Sequence, residues 1–111
     1  MGMGFHILAS LKGCPINLVS TNSKLNKLLN SIVDDVQFHK VGELFCNTFE
    51  NKPSSFILLA ESHISIYSNP YNGNVELDIF CCNGEDSARL AFNRFVEKLS
   101  PASFASEEVR R

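Results

Sequence analysis

The sequence predicts an α/β (α+β) two-layer sandwich, a mainly antiparallel sheet with two helices on one face. Three observations carry the prediction. Two segments space their apolar residues at the helical period, and the remaining segments are short and strand-like with tight links. Their order is strand, helix, three or four strands, helix. Consecutive strands on short links pair antiparallel, and two one-sided helices can cover only one face of such a sheet.

The first strand is FHILASL at 5 to 11. In TNSKLNKLLNSIVDDVQ, Leu25, Leu28, Leu29, Ile32, Val33 and Val36 form one apolar stripe, with Thr21 or Asn22 able to cap the start. FHKVGELFCNTF at 38 to 49 is a mixed strand, SFILLA at 55 to 60 is continuously apolar, and HISIYS at 63 to 68 alternates. SNPYNGN is the turn that follows, built of residues that fix or tolerate tight dihedrals. VELDIFCC at 75 to 82 alternates again, with Val75, Leu77, Ile79 and Cys81 on one face and Glu76, Asp78, Phe80 and Cys82 on the other. Glu76 and Asp78 read equally as lining residues of a polar face or as solvated edge charges. The second helix carries Ala88, Ala91, Phe92, Phe95, Val96 and Leu99, with Asp86 as the expected N-cap and Pro101 just past the end. The tail ASFASEEVRR has no period and is expected to fray, leaving one domain over 1–100 and a flexible tail over 101–111.

Composition narrows the function classes. At 44% hydrophobic and 20% charged residues with a net charge of −2, the chain has no basic excess for nucleic acid. MGMGFHILASLKG has neither the basic start of a signal peptide nor the length of a membrane span, so a cytoplasmic protein without membrane contact is expected. The cysteines, Cys14, Cys46, Cys81 and Cys82, read as thiols, and their spacing lacks the C-x-x-C pattern of zinc sites, so no metal is expected. His6 and His39 read as structural residues. The uncovered sheet face would leave Phe56, Leu58 and Phe80 toward water, so the chain is expected to self-associate as a homodimer.

One stretch stands apart. In LLAESHISIYSNP, residues 58 to 70, an apolar strand-forming run is broken by Glu61, Ser62 and His63 and then resumes. Alone, the Glu–Ser pair reads as a polar strand end or bulge. A serine at such a junction has a second use: its hydroxyl can attack the carbonyl carbon of the peptide bond before it. If donors steady the oxyanion, the amide becomes an ester, elimination breaks the chain, and the new N-terminus becomes a pyruvoyl group. Its ketone can form an imine with an amino acid and accept the electrons released with carbon dioxide, as pyridoxal would.

LLAESHISI, together with the opening FHILASLKGC and with VELDIFCCNG, resembles in order and spacing the small prokaryotic and phage-type S-adenosylmethionine decarboxylases, over residues 5 to 98. The resemblance implies that fold and cleavage between Glu61 and Ser62, giving a β chain of 1–61 and an α chain of 62–111 whose cofactor is the pyruvoyl group made from Ser62. It implies Cys82, in FCCNG, as proton donor to the decarboxylated carbon. Ser54, with Ser55 beside it, matches a serine that assists processing. Tyr67 stands at the position of the family's processing acid or base, and His63 follows the cleavage serine. Phe49 and Glu61 are implied as substrate contacts, and so is Tyr71, which stands at the place of a family carboxylate and can stack on a base. The implied substrate is S-adenosylmethionine, decarboxylated to the aminopropyl donor for spermidine and polyamine synthesis.

The departures define the alternatives. The family has histidine where this chain has Tyr67, a phenol of ordinary pKa about 10. The family's H-T-W-P-E turn is here YSNPY, so Tyr71 replaces a ribose-binding carboxylate, and HILAE becomes HILAS at Ser10. These motivate a diverged pyruvoyl decarboxylase of another amine-bearing substrate such as ornithine or arginine, or an unprocessed homologue that binds a nucleoside metabolite or a partner subunit. Tyr67 and Tyr71 can also be ordinary packing residues, as can Cys82.

Overall fold

The computed structural model describes residues 4–60, 62–82 and 84–111, with the side chains of 42–45 outside the description. The elements run β1 (Phe5–Lys12), α1 (Ile16–Val19), α2 (Asn22–Val36), β2 (Lys40–Phe49), β3 (Lys52–Leu59), β4 (Ser62–Asn69), β5 (Asn74–Cys81), α3 (Glu85–Leu99) and β6 (Ser103–Arg110). The strands form one six-stranded sheet in the order β2-β3-β4-β5-β1-β6. Each neighbouring pair is antiparallel. α2 and α3 lie on one face, giving the expected two-layer sandwich.

Strand alternation and helical periodicity meet in a single core. Phe5, Ile7, Ala9 and Leu11 of β1, Ile64 and Ile66 of β4, and Val75, Leu77, Ile79 and Cys81 of β5 are buried on the helix side. Against them pack Leu25, Leu29, Ile32 and Val33 of α2 and Ala88, Ala91, Phe92, Phe95 and Leu99 of α3. The opposite, open face carries Leu8 and Leu58, each 42% exposed, with Phe56, Phe80 and most of the sheet's charged side chains.

Local chemistry fixes the element ends. The Thr21 hydroxyl caps α2 by accepting from the Lys24 N–H at 3.2 Å. Asn22 then ties α2 to the β2–β3 hairpin, donating to the Asn47 and Ser54 carbonyls at 2.9 and 2.8 Å. In the β4–β5 turn, Gly73 has φ +75° and its carbonyl accepts from the Cys14 N–H at 2.9 Å. A Cβ there would lie 2.1 Å from the Cys14 carbonyl oxygen, so the position needs glycine twice over.

Three expectations are corrected. The cap of α3 is Gly84 with no side-chain bond, and Asp86 sits in the first turn, where its charge favours the helix dipole. The third strand starts at Lys52, earlier than its apolar run. Residues 103–110 of the expected flexible tail are β6, paired with β1 along its whole length from Phe5↔Arg110 to Lys12↔Ser103. Arg89 of α3 holds this strand through two bonds of 2.8 Å to Glu108, and Arg110 pairs with Glu85. Phe104 meets Phe92 edge to face at 5.6 Å.

Candidate active site

Ser62 opens β4, and its ladder partner is Cys81, the last residue of β5. Both side chains face the helices: Ser62 is 7% exposed and Cys81 fully enclosed. The Ser62 hydroxyl donates to Cys81 Sγ at 3.4 Å. Cys82 follows one residue past β5 and is exposed, so a hydroxyl and two thiols converge where β4 begins and β5 ends. Glu61, the expected upstream half of the reactive bond and a candidate substrate contact, lies outside the described residues.

Two small cavities flank this junction. One of about 100 Å³ is lined by Ser62, Ala60, His39 and, from the first turn of α3, Ser87. The other, of about 220 Å³, is lined by Cys81, Cys82, Glu85, Arg110 and Arg111. The chemistry available is therefore a nucleophilic hydroxyl, a thiol open to solvent and a helix N-terminus whose N–H groups favour negative charge. Cys14 takes no part: it is buried away from the junction, and burial pushes its thiol above the ordinary value.

The remaining candidates gather at the opposite end of the sheet. Ser54 and Tyr67 are ladder partners on β3 and β4, both on the open face. Tyr67 is five residues along β4 from Ser62, about 16 Å at the rise of an extended strand, and points to the other side. Tyr71, in the β4–β5 turn, is 68% exposed and its hydroxyl accepts from Asn51 Nδ2 at 3.3 Å. Phe49, at the end of β2, is 69% exposed. The β2–β3 and β4–β5 turns lie at the same end, so Phe49, Ser54, Tyr67 and Tyr71 form one group and Ser62 with Cys82 another. Within one chain the structure does not bring the two groups together. Ser55, by contrast, is buried on the helix side and donates to Asn26 Oδ1 at 2.8 Å.

His63 points to the open face, away from Ser62. The serine that replaces an acidic residue in HILAS, Ser10, donates to Glu76 Oε2 at 2.5 Å. Glu76 and Asp78 line an open-face groove of about 650 Å³ together with Ser10, Ser65 and Tyr67. Cys81 as the contact of Ser62 was not anticipated, although alternation through Ser62, Ile64 and Ile66 puts that serine on the face of Ile79 and Cys81. His39 and Ser87 had no signal in the sequence, because loop closure and the approach of α3 bring them in.

A family profile described as S-adenosylmethionine decarboxylase matches residues 5–111. The chain belongs to the S-adenosylmethionine decarboxylase family. Among relatives in this family, the S-adenosylmethionine decarboxylase proenzyme of Archaeoglobus fulgidus is 34% identical over 104 residues, covering 94% of this chain and 93% of that protein. The proenzyme of Thermoplasma acidophilum is 31% identical over 111 residues, covering 100% of this chain and 85% of that protein. The crystal structure of the adenosylmethionine decarboxylase from Aquifex aeolicus superimposes with a TM-score of 0.91 at 25% identity, covering 99% of this chain and 91% of that one. The family match runs to the last residue and so takes in β6.

Proposed function

We propose that this chain is a self-cleaving precursor that matures to a pyruvoyl enzyme and decarboxylates S-adenosylmethionine, the reaction that supplies the aminopropyl donor of spermidine and polyamine synthesis. The observation that carries the proposal is the placement of Ser62 at the first position of β4, beside the end of β5 and Cys82, in a chain whose relatives are named as proenzymes. On this reading a chain with serine at position 62 is the precursor form. No helix among the described residues is long and apolar enough to cross a membrane.

The residues at the junction fit the chemistry. Ser62 Oγ attacks the carbonyl carbon of residue 61, the C–N bond breaks and an ester forms. Loss of the Ser62 α-proton then expels the carboxylate of residue 61, and hydrolysis with release of ammonia leaves a pyruvoyl group on residue 62. That group supplies the carbonyl that takes up the electron pair when carbon dioxide leaves. The hydrogen bond to Cys81 holds the Ser62 hydroxyl at the strand end, and Ser87 of the first turn of α3 lines the adjoining cavity. The exposure of Cys82 beside the junction supports the reading in which its thiol returns a proton to the substrate carbon.

Tyr67, Ser54, Tyr71 and Phe49 are too far along the sheet to serve the Ser62 of their own chain. A homodimer resolves this. Two copies related by a twofold axis, with open faces together and strands antiparallel, set the Ser54–Tyr67 end of each against the Ser62–Cys82 end of the other. Such pairing also buries Leu8, Leu58, Phe56 and Phe80, which face water in the single chain.

The test is the intact mass of the purified protein over time. Maturation replaces the 12.4 kDa chain by fragments 1–61 and 62–111, the second lighter by one ammonia than its serine-initiated form. The matured protein releases carbon dioxide from S-adenosylmethionine and not from ornithine or arginine. A chain that stays whole on prolonged incubation, with no carbon dioxide released from any of the three, refutes the proposal.

A further inference from the structure

The open face contains a cluster that the decarboxylation proposal does not use. In the ladder, Phe80 of β5 stands directly between His6 of β1 and His63 of β4. Asp78, the next open-face residue of β5, reaches both histidines. His6 Nε2 lies 2.8 Å from Asp78 Oδ1, and His63 Nε2 lies 3.8 Å from Asp78 Oδ2. One donor atom from each residue falls within 4.8 Å of the others. We propose that His6, His63 and Asp78 form a binding site for a divalent transition-metal ion of the zinc type, bridging β1, β5 and β4.

The geometry supports this in three ways. Metal–nitrogen and metal–oxygen bonds of about 2.0–2.2 Å in a tetrahedron hold ligand atoms about 3.4 Å apart, and the three donor atoms, already within 4.8 Å of one another, close to that spacing by side-chain rotation. His6 Nε2 and Asp78 Oδ1 are also buried atoms without a hydrogen-bond partner among the described residues, although they lie 2.8 Å apart. Buried polar atoms are nearly always satisfied, and a cation between them would satisfy both. Finally, the rings are held in place. His63 is sandwiched between Phe56 at 5.5 Å and Phe80 at 5.4 Å, both near parallel, and His6 packs on Phe80 at 4.8 Å.

Two imidazoles and one carboxylate select the ion. Magnesium and calcium prefer oxygen ligands, whereas this mixed set suits zinc, cobalt or nickel, with a fourth position left to solvent. The groove lined by Asp78, Ser65 and Tyr67 adjoins the cluster in the single chain, and in the proposed homodimer it lies between the two open faces. Arg111 Nη1 lies 3.5 Å from His6 Nδ1. A metal at Nε2 requires the tautomer with the proton on Nδ1, which turns that nitrogen into a donor and so displaces Arg111. Within the chain, Ser62 faces the other side of the sheet from these three side chains.

The test is cobalt(II) and zinc(II) binding to the whole protein, read by the visible absorption of bound cobalt and by zinc competition with a chromophoric chelator. The expected result is one ion per chain with nitrogen and oxygen ligation, and at least about a tenfold loss of affinity in Asp78→Asn and in His63→Ala. Asp78→Asn keeps the side-chain shape, and circular dichroism without metal checks that each variant folds. The exposed thiols are the competing ligands, so a Cys46→Ser/Cys82→Ser variant is measured in parallel and should bind as the parent does. Sulfur-to-cobalt charge-transfer bands, loss of binding in the cysteine variant, or undiminished affinity in both folded site variants overturns the proposal.

Discussion

At the scale of single residues, the two adjacent cysteines are the sharpest contrast. Cys81 has no solvent exposure and accepts the Ser62 hydroxyl, while Cys82 is exposed one residue further on. In the proposed mechanism the proton donor must recover its proton from solvent, which an exposed thiol such as Cys82 can do and the enclosed Cys81 cannot. Cys82→Ala should therefore still cleave to fragments 1–61 and 62–111 but decarboxylate about 10²–10⁴ times more slowly, the usual worth of a positioned acid or base. Cys81→Ala should instead slow the cleavage itself, because Ser62 loses the partner that holds its hydroxyl. Mass spectrometry of the cleavage and carbon dioxide release from the matured chain separate the two effects, and a Cys82→Ala enzyme with unchanged kcat would remove that residue from the mechanism. The inward orientation of Ser62 was legible, since it shares the alternation of Ile64 and Ile66. The difference between Cys81 and Cys82 was legible only as facing, because the strand end that exposes Cys82 is set by the turn into α3.

At the scale of elements, the helices and the central strands could be read from the sequence because each has one face in the core. Leu25, Leu29, Ile32 and Val33 in α2, and Val75, Leu77, Ile79 and Cys81 in β5, repeat at the period their element demands. β6 shows why that reasoning stops. Its residues are exposed apart from a half-buried Val109, so burial imposes no alternation on SFASEEVR. Pairing with β1 is fixed by backbone bonds and by side chains from elsewhere: Arg89 on Glu108, Phe92 on Phe104, and the guanidinium groups of Arg89 and Arg110 over the Phe5 ring at 5.2 and 5.6 Å. The hydrogen bonds from Arg89 hold the Glu108 carboxyl below its ordinary value near 4.5. A carboxyl whose value is lowered on folding adds stability that is present above its unfolded value and disappears as pH falls through the folded one. Backbone amides of β6 should then exchange slowly at neutral pH and lose protection selectively as pH drops below about 4.5. In Glu108→Gln, β6 should exchange faster at neutral pH and lose the acid-dependent step, while β4 and β5 keep their protection. Equal protection of β6 in both proteins at neutral pH would show that strand pairing alone holds the edge.

At the scale of the whole molecule, the candidate residues divide between two ends of one sheet. Ser62 and Cys82 lie where β4 begins, whereas Ser54 and Tyr67 face each other about 16 Å away on the open side. The residue types were legible one by one, but their separation was not, because it follows from register: Ser62 pairs with Cys81 and Ser54 with Tyr67. If each working site draws one end from each of two copies, two damaged chains can repair one another. Ser62→Ala lacks the nucleophile but keeps an intact Ser54–Tyr67 end, and Ser54→Ala/Tyr67→Ala lacks that end but keeps Ser62 and Cys82. Each variant alone should neither mature normally nor decarboxylate S-adenosylmethionine. Coexpressed in equal amounts, random pairing makes about half the dimers mixed, each with one whole site, so about a quarter of the parent activity should return. Only the Ser62-bearing chain should be cleaved, which mass spectrometry reads directly. A coexpressed pair that associates but regains nothing would mean that each chain serves only itself. Full activity in the Ser54→Ala/Tyr67→Ala protein alone would mean that the far end of the sheet is not part of the site.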